Sequence, residues 1–177
     1  MLEAFITSKT RIKLMLKFFL NSNSKGYLRG LASEFGESTN AIRLELNRFE
    51  EAGLLESSSD GQKKMFQVNT RHPLFKDVQN LMRKYVGMDQ IIEKVIKHLG
   101  NPEKVFLKGD LAMGIDSPEL SMIIVAEKID EDYLKNLIKK AQKIVSRSIE
   151  YVLVAPNDFE NNFPHQEKLL LVWENKE

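Results

Sequence analysis

Apolar positions recur at helical spacing through the first hundred residues and then give way to short continuous runs. Residues 11–20 (RIKLMLKFFL) place Ile12, Met15, Leu16, Phe19 and Leu20 on one face of a helix, with Arg11, Lys13 and Lys17 pointing elsewhere. Residues 21–26 (NSNSKG) form a polar stop. A short helix follows over 27–35, with Leu28, Leu31, Ala32 and Phe35 on one side. Gly36 ends it, because glycine adopts the left-handed conformation cheaply. Ser38 then caps a longer helix reaching about Ala52, whose inner face is Ile42, Leu46 and Phe49. Gly53 closes that helix. Two extended runs, 54–58 and 64–69, flank Ser59-Asp60-Gly61, and an Asp-Gly step between such runs predicts a hairpin. Pro73 suits the first turn of a further helix with the stripe Leu74, Val78, Leu81 and Tyr85. Residues 89–99 form another amphipathic stretch.

Beyond residue 100 the rhythm changes. Residues 105–107 are a short apolar run, followed by a small-residue segment over 109–118. Strands are expected over 120–126, 149–155 and 169–173. A helix lies over 130–145, with Leu134, Leu137, Ile138, Ala141 and Val145 inside. The fold class is therefore α+β, a helical half with a hairpin followed by a small α/β half. The boundaries expected are 1–70, a helical linking or dimerisation region over 71–100, and 101–177.

Composition narrows the chemistry. The chain has 177 residues with 26 Lys and Arg against 25 Asp and Glu. The balance is uneven along its length: residues 1–88 carry +5 and residues 89–177 carry −4. A basic half joined to an acidic half points to modules with different partners. Absence of cysteine excludes disulfides, thiolate metal sites and cysteine nucleophiles. The longest apolar runs span five residues, against roughly 18 for a membrane span. No apolar signal core opens the chain, so a cytoplasmic protein without membrane association is expected. His72, His98 and His165 are scattered without ligand spacing, and no P-loop, Rossmann or Gly-x-Ser-x-Gly pattern occurs. No metal site, catalytic residue or cofactor is assigned.

In the first half the order helix, short helix, tight turn, longer helix and hairpin is a winged helix-turn-helix. The segment 38–55 (STNAIRLELNRFEEAGLL) resembles the recognition helix and following strand of bacterial ArsR-like and MarR-like regulators. The resemblance covers about residues 10–70 and implies binding to double-stranded DNA. A helix fits the major groove, and residues near its N-terminus reach base edges. Here those are Ser38, Thr39, Asn40 and Arg43. Asparagine pairs with adenine and arginine with guanine through two hydrogen bonds each. Arg29 and Arg48 are candidates for backbone phosphates, and Lys63 and Lys64 stand at the wing tip. Glu37, Glu45, Glu50 and Glu51 work against this reading. Capping alone also accounts for Ser38.

In the second half, residues 105–125 (VFLKGDLAMGIDSPELSMIIV) resemble the core motif of the minimal nucleotidyltransferases, which share the DNA polymerase β-like fold. Gly109 matches the motif glycine, and Ala112 and Gly114 match the small positions. In that family a Gly-Ser turn approaches phosphates, and an Asp-x-Asp strand holds two metal ions for phosphoryl transfer. This chain has Asp110 after the glycine and Glu119-Leu120-Ser121 in place of the paired aspartates. Glu150 is the one candidate for a third carboxylate. The resemblance therefore implies an inactive relative. A winged helix joined to such a domain resembles a group of bacterial predicted transcriptional regulators whose second domain acts as a sensor or oligomerisation unit.

The leading expectation is a homodimeric, sequence-specific transcription regulator, with a small-molecule or nucleotide effector as a further partner. The alternatives are an active nucleotidyltransferase steered by the winged helix, and a protein-interaction module.

Overall fold

The computed structural model describes residues 2–100, 102–165 and 168–175. The chain divides into two compact units between Tyr85 and Val86. The stretch 71–100, expected as one linking region, is thus shared between them.

In the first unit, α1 (Lys9–Met15) starts at Ser8, whose hydroxyl accepts from the Arg11 amide. It continues into a π-helical turn over Leu16–Leu20. Every residue of that turn is buried, Lys17 included, which corrects the expectation that Lys17 faces outward. Apolar groups surround it in sequence, so the whole turn sinks into the core. The lysine charge survives there by pairing with Glu34 at 2.6 Å. A three-residue strand, β1 (Lys25–Tyr27), leads into α2 (Leu28–Phe35). Gly36, at φ +63°, ends α2, and the Glu37 amide reaches back to the Ala32 carbonyl at 3.0 Å. This left-handed closure sets the tight turn between the two helices. Then α3 (Thr39–Glu51) begins under the Ser38 cap and buries Ile42, Leu46 and Phe49 as expected.

The hairpin is β2 (Leu55–Asp60) and β3 (Lys63–Val68), with Gly61 and Gln62 at the tip. The turn lies slightly later than the sequence suggested, because Asp60 pairs with Lys63 and extends the ladder. β1 adds to the other edge of β3, giving the order β1-β3-β2. The polar segment 21–26 was expected only as a stop. Its last residues become strand through pairing with β3, which no local pattern announces. Within the first unit, α1, α2, α3 and the three-stranded antiparallel sheet thus form a winged-helix arrangement, to which a further helix is added.

The last helix of this unit, α4 (Phe75–Val86), turns a different face inward from the one expected. Phe75 and Met82 are buried, whereas Leu74 and Leu81 are 53% and 38% exposed. The helix is apolar on two adjoining faces, and aromatic packing decides between them. Phe75 stacks on Phe19 at 6.2 Å, and Phe19 in turn meets Phe49 at 6.5 Å.

The second unit opens with α5 (Met88–Lys94) and a 3-10 turn over Ile96–His98. Its sheet comprises β4 (Lys104–Lys108), β5 (Glu119–Val125), β6 (Ser148–Val154) and β7 (Leu170–Glu174), in the order β6-β5-β4-β7. β5 runs antiparallel to β4 and parallel to β6. α6 (Glu131–Val145) makes the crossover between the parallel strands, and its Asp130 cap accepts from the Tyr133 amide. Leu134, Leu137, Ile138 and Ala141 are buried as its spacing predicts; Val145 is only half-buried. A further helix, α7 (Pro156–Asn162), was not foreseen in a segment dominated by polar residues. Pro156 pre-sets its first turn. Phe159 anchors it by stacking on Phe106 at 4.9 Å, within a cluster of Ile123, Val125 and Val154. Among the described residues, no helix is long and apolar enough to cross a membrane.

Candidate nucleic-acid interface

The burial of Ile42, Leu46 and Phe49 orients α3 and decides what it shows to solvent. The outward row is Asn40, Arg43, Leu44 and Asn47, at i, i+3, i+4 and i+7, all exposed. Ser38 and Thr39 stand exposed at the helix start, with the Ser38 hydroxyl accepting from the Ala41 amide at 3.1 Å. Leu44 and Asn47 were missed from the sequence. They follow by adding one and two turns to Asn40 and Arg43, so the helical period alone would have found them.

A cleft of about 620 Å³ lies between α3 and the hairpin. Arg29, Arg43, Lys63 and Lys64 border it, together with Tyr27, Asn47 and Gln62. Four of the sequence-assigned cations are thereby gathered from α2, α3 and β3. Arg48 is not among them. It bonds Glu45 at 3.3 Å instead.

Three of the four acids on or beside α3 take other directions, while Glu51 stays exposed at the helix end. Glu45 is buried and accepts from Ser8 at 2.9 Å and from Arg11 Nε at 2.8 Å. Burial pushes its carboxyl upward, but hydrogen bonds from Arg11 and Ser8 and the charges of Arg11 and Arg48 outweigh this, leaving it below the usual carboxylate value. Glu37 binds Lys13 at 2.7 Å, and that bond lowers its pKa. Glu50 is lowered by hydrogen bonds from Lys64 at 2.7 Å and Ser57 at 2.5 Å. Glu50 thus joins the helix to both strands of the hairpin. Three acids that argued against an anionic partner are therefore spent on internal cations. Among the described residues, Arg29 and Arg43 have no carboxylate within ion-pair distance.

In the second unit, Gly109 leaves β4 with φ +72°, and Asp110 begins a 3-10 turn over Leu111–Met113. Glu119 opens β5, and Ser121 donates its hydroxyl to Glu119 Oε1 at 2.6 Å. Glu150 on β6 and Lys108 on β4 are both in register with Ser121. Sheet pairing thus gathers Lys108, Glu119, Ser121 and Glu150 at one end of one face. The approach to β5 is fastened by Arg147, which bonds Asp116 at 2.9 Å and the Ser117 carbonyl.

No family model matches the chain, and no curated protein matches it. Solved structures similar to it include reduced HlyU from Vibrio cholerae, at 14% identity and TM-score 0.38, covering 47% of this chain and 82% of that one. AF1382 from Archaeoglobus fulgidus is 16% identical with TM-score 0.38, covering 51% of this chain and 96% of its own. The transcriptional regulator BldR from Sulfolobus solfataricus is 16% identical with TM-score 0.37, covering 56% and 69%. At these scores the likenesses carry no assignment, and the winged-helix description rests on the element order and strand pairing given above.

Proposed function

We propose that this protein is a sequence-specific, double-stranded DNA-binding transcription regulator. The observation that carries the reading is the exposed row Asn40, Arg43, Leu44 and Asn47 on α3, bordered by cations from α2 and the wing. The row offers amide and guanidinium groups for adenine and guanine edges, and an apolar contact for a thymine methyl. Arg29 and Lys63 supply charge for phosphates, which position the protein without reading sequence. The protein acts as a homodimer on a two-fold site, and the exposed Leu81 on α4 and Leu74 just before it favour that helix as the pairing surface.

The second unit serves as a nucleotidyltransferase-like sensor or oligomerisation domain without catalysis, responsive to a small-molecule or nucleotide effector. The order β4-β5-β6, with an antiparallel then a parallel pairing, supports the nucleotidyltransferase-like reading, as does Gly109 at the end of the first strand. Ser121 stands where a second carboxylate is needed, and its hydroxyl is committed to Glu119. Glu119 and Glu150 with a hydroxyl between them lack the strand-borne pair of carboxylates that the two-metal clamp of in-line phosphoryl transfer needs.

The test is selection of genomic DNA fragments by the purified protein at two salt concentrations. A shared two-fold motif with steeply salt-dependent affinity is expected. Arg43→Ala should cost ~1–3 kcal/mol and relax specificity at one position. No enrichment at either salt refutes the reading. Incubation with ATP and magnesium or manganese should yield no nucleotide transfer.

A further inference from the structure

We infer that the cleft between α3 and the wing seats a phosphate of the DNA backbone, and that Tyr27, lying on Gly30, positions the Lys63 ammonium in that seat. This rests on the DNA-binding reading above and assigns a role to Tyr27 and Gly30, which lie outside the base-reading row.

Of the four cations at the cleft, Lys64 is matched by Glu50. Among the described residues, Arg29, Arg43 and Lys63 have no carboxylate within ion-pair distance. Three cations lining one cleft without a counter-charge leave it electropositive, and an anion entering the cleft is attracted there. The amides of Asn47 and Gln62 at its wall add neutral donors. A phosphate, with oxygens that accept from guanidinium, ammonium and amide together, fits this donor set. The backbone is the source favoured, because Arg43 and Asn47 belong both to the cleft and to the exposed row of α3. A strand meeting that row passes the cleft.

Lys63 Nζ lies over the Tyr27 ring, 4.5 Å from its centroid. The ring lies against α2 at Gly30, where an added Cβ would stand 2.8 Å from Tyr27 Cε1 and 2.9 Å from Cζ. A glycine inside an eight-residue helix weakens that helix. Here its missing side chain is what lets the ring approach the helix this closely, with Lys63 over it. Tyr27 is therefore a positioning residue that acts through Lys63.

The experiment measures affinity for a selected DNA site, and its salt slope, for wild type, Tyr27→Phe, Tyr27→Leu, Lys63→Gln and Tyr27→Leu/Lys63→Gln. Thermal melting of each variant monitors folding. Lys63→Gln should flatten the slope by ~0.9, the signature of one lost phosphate contact. Tyr27→Phe keeps the ring and should keep wild-type affinity. Tyr27→Leu should lose about two- to fivefold, the equilibrium worth of an exposed cation–π contact. The double variant should bind no worse than Lys63→Gln, because Tyr27 acts through that lysine. Gly30→Ala should reproduce the Tyr27→Leu loss with every charge retained.

An unchanged slope in Lys63→Gln, or fully additive losses in the double variant, overturns the inference while leaving DNA binding intact. Failure of the wild type to bind any DNA overturns the underlying reading and the inference with it. A parallel titration with ATP and with inorganic phosphate separates the sources. Nucleotide binding lost in Lys63→Gln, with DNA affinity unchanged, would assign the seat to a free phosphate and overturn the backbone source.

Discussion

Replacing Glu45 by glutamine tests whether the recognition helix is anchored as the structure implies. Glu45 lies in the middle of α3 with its side chain 5% exposed, and its carboxylate receives Ser8, Arg11 and Arg48. Glutamine keeps the shape and one acceptor, but it turns an amide donor toward groups that are themselves donors. Hydrogen bonds involving a charged partner contribute ~1.5–3 kcal/mol each. Arg11 and Arg48 are 35% and 52% exposed, so solvent screens part of the Coulomb attraction. A fully buried pair would lose ~3–5 kcal/mol on breaking; here a loss of about 2 kcal/mol is expected. In a unit of this size that lowers the melting temperature by roughly 8–16 °C. The sign with pH follows from the direction of the shift. The folded-state pKa of Glu45 lies below its ordinary value of 4.5. Its contribution is therefore complete above pH 4.5 and is lost as pH falls through the lower folded-state value. Urea unfolding of both proteins, repeated from neutral pH downward, should show a gap that holds to about pH 4.5 and then narrows. A gap below about 0.5 kcal/mol at neutral pH, the size of an ordinary surface substitution, would refute the reasoning. So would a gap that ignores pH.

Other perturbations probe separate links. Ser38→Ala removes the bond to the Ala41 amide and should cost ~1 kcal/mol in urea unfolding. Phe19→Ala empties a site that is 1% exposed between two aromatic rings, and a loss of ~3–5 kcal/mol should appear in the same assay. Gly87→Ala meets two obstacles, a φ of +84° and Val145 carbons 2.7 Å from the new Cβ. Together these should cost roughly 2–5 kcal/mol, read as a lower melting temperature of the second unit.

Local rules account for much of this protein. Spacing of apolar residues and the stop at Gly36 are properties of a few neighbouring positions, so the α2–α3 turn, the Ser38 cap and the inner face of α3 are legible without the fold. The same holds for the hairpin and, α7 apart, for the order of strands and helices in the second unit. The residues Ser38, Thr39, Asn40 and Arg43 could be placed on the exposed side of α3 on that basis, and stopping the period one turn early is why Leu44 and Asn47 were overlooked. Other features depend on partners distant in sequence. β1 is a strand only because β3 offers it an edge. The inward face of α4 follows from the stacking of Phe75 on Phe19, a choice between two apolar faces that the helix itself leaves open. α7 is secured by Phe159 against Phe106, some fifty residues away. Charge shows the division most clearly. The sequence counts acids and bases on α3 but says nothing of their pairing. Only the tertiary structure sends Glu37, Glu45 and Glu50 to Lys13, Arg11 and Lys64, and thereby leaves Arg29 and Arg43 as cations at a cleft. Ion pairing acts over a few ångströms in space and is indifferent to separation along the chain, so it could be decided nowhere else.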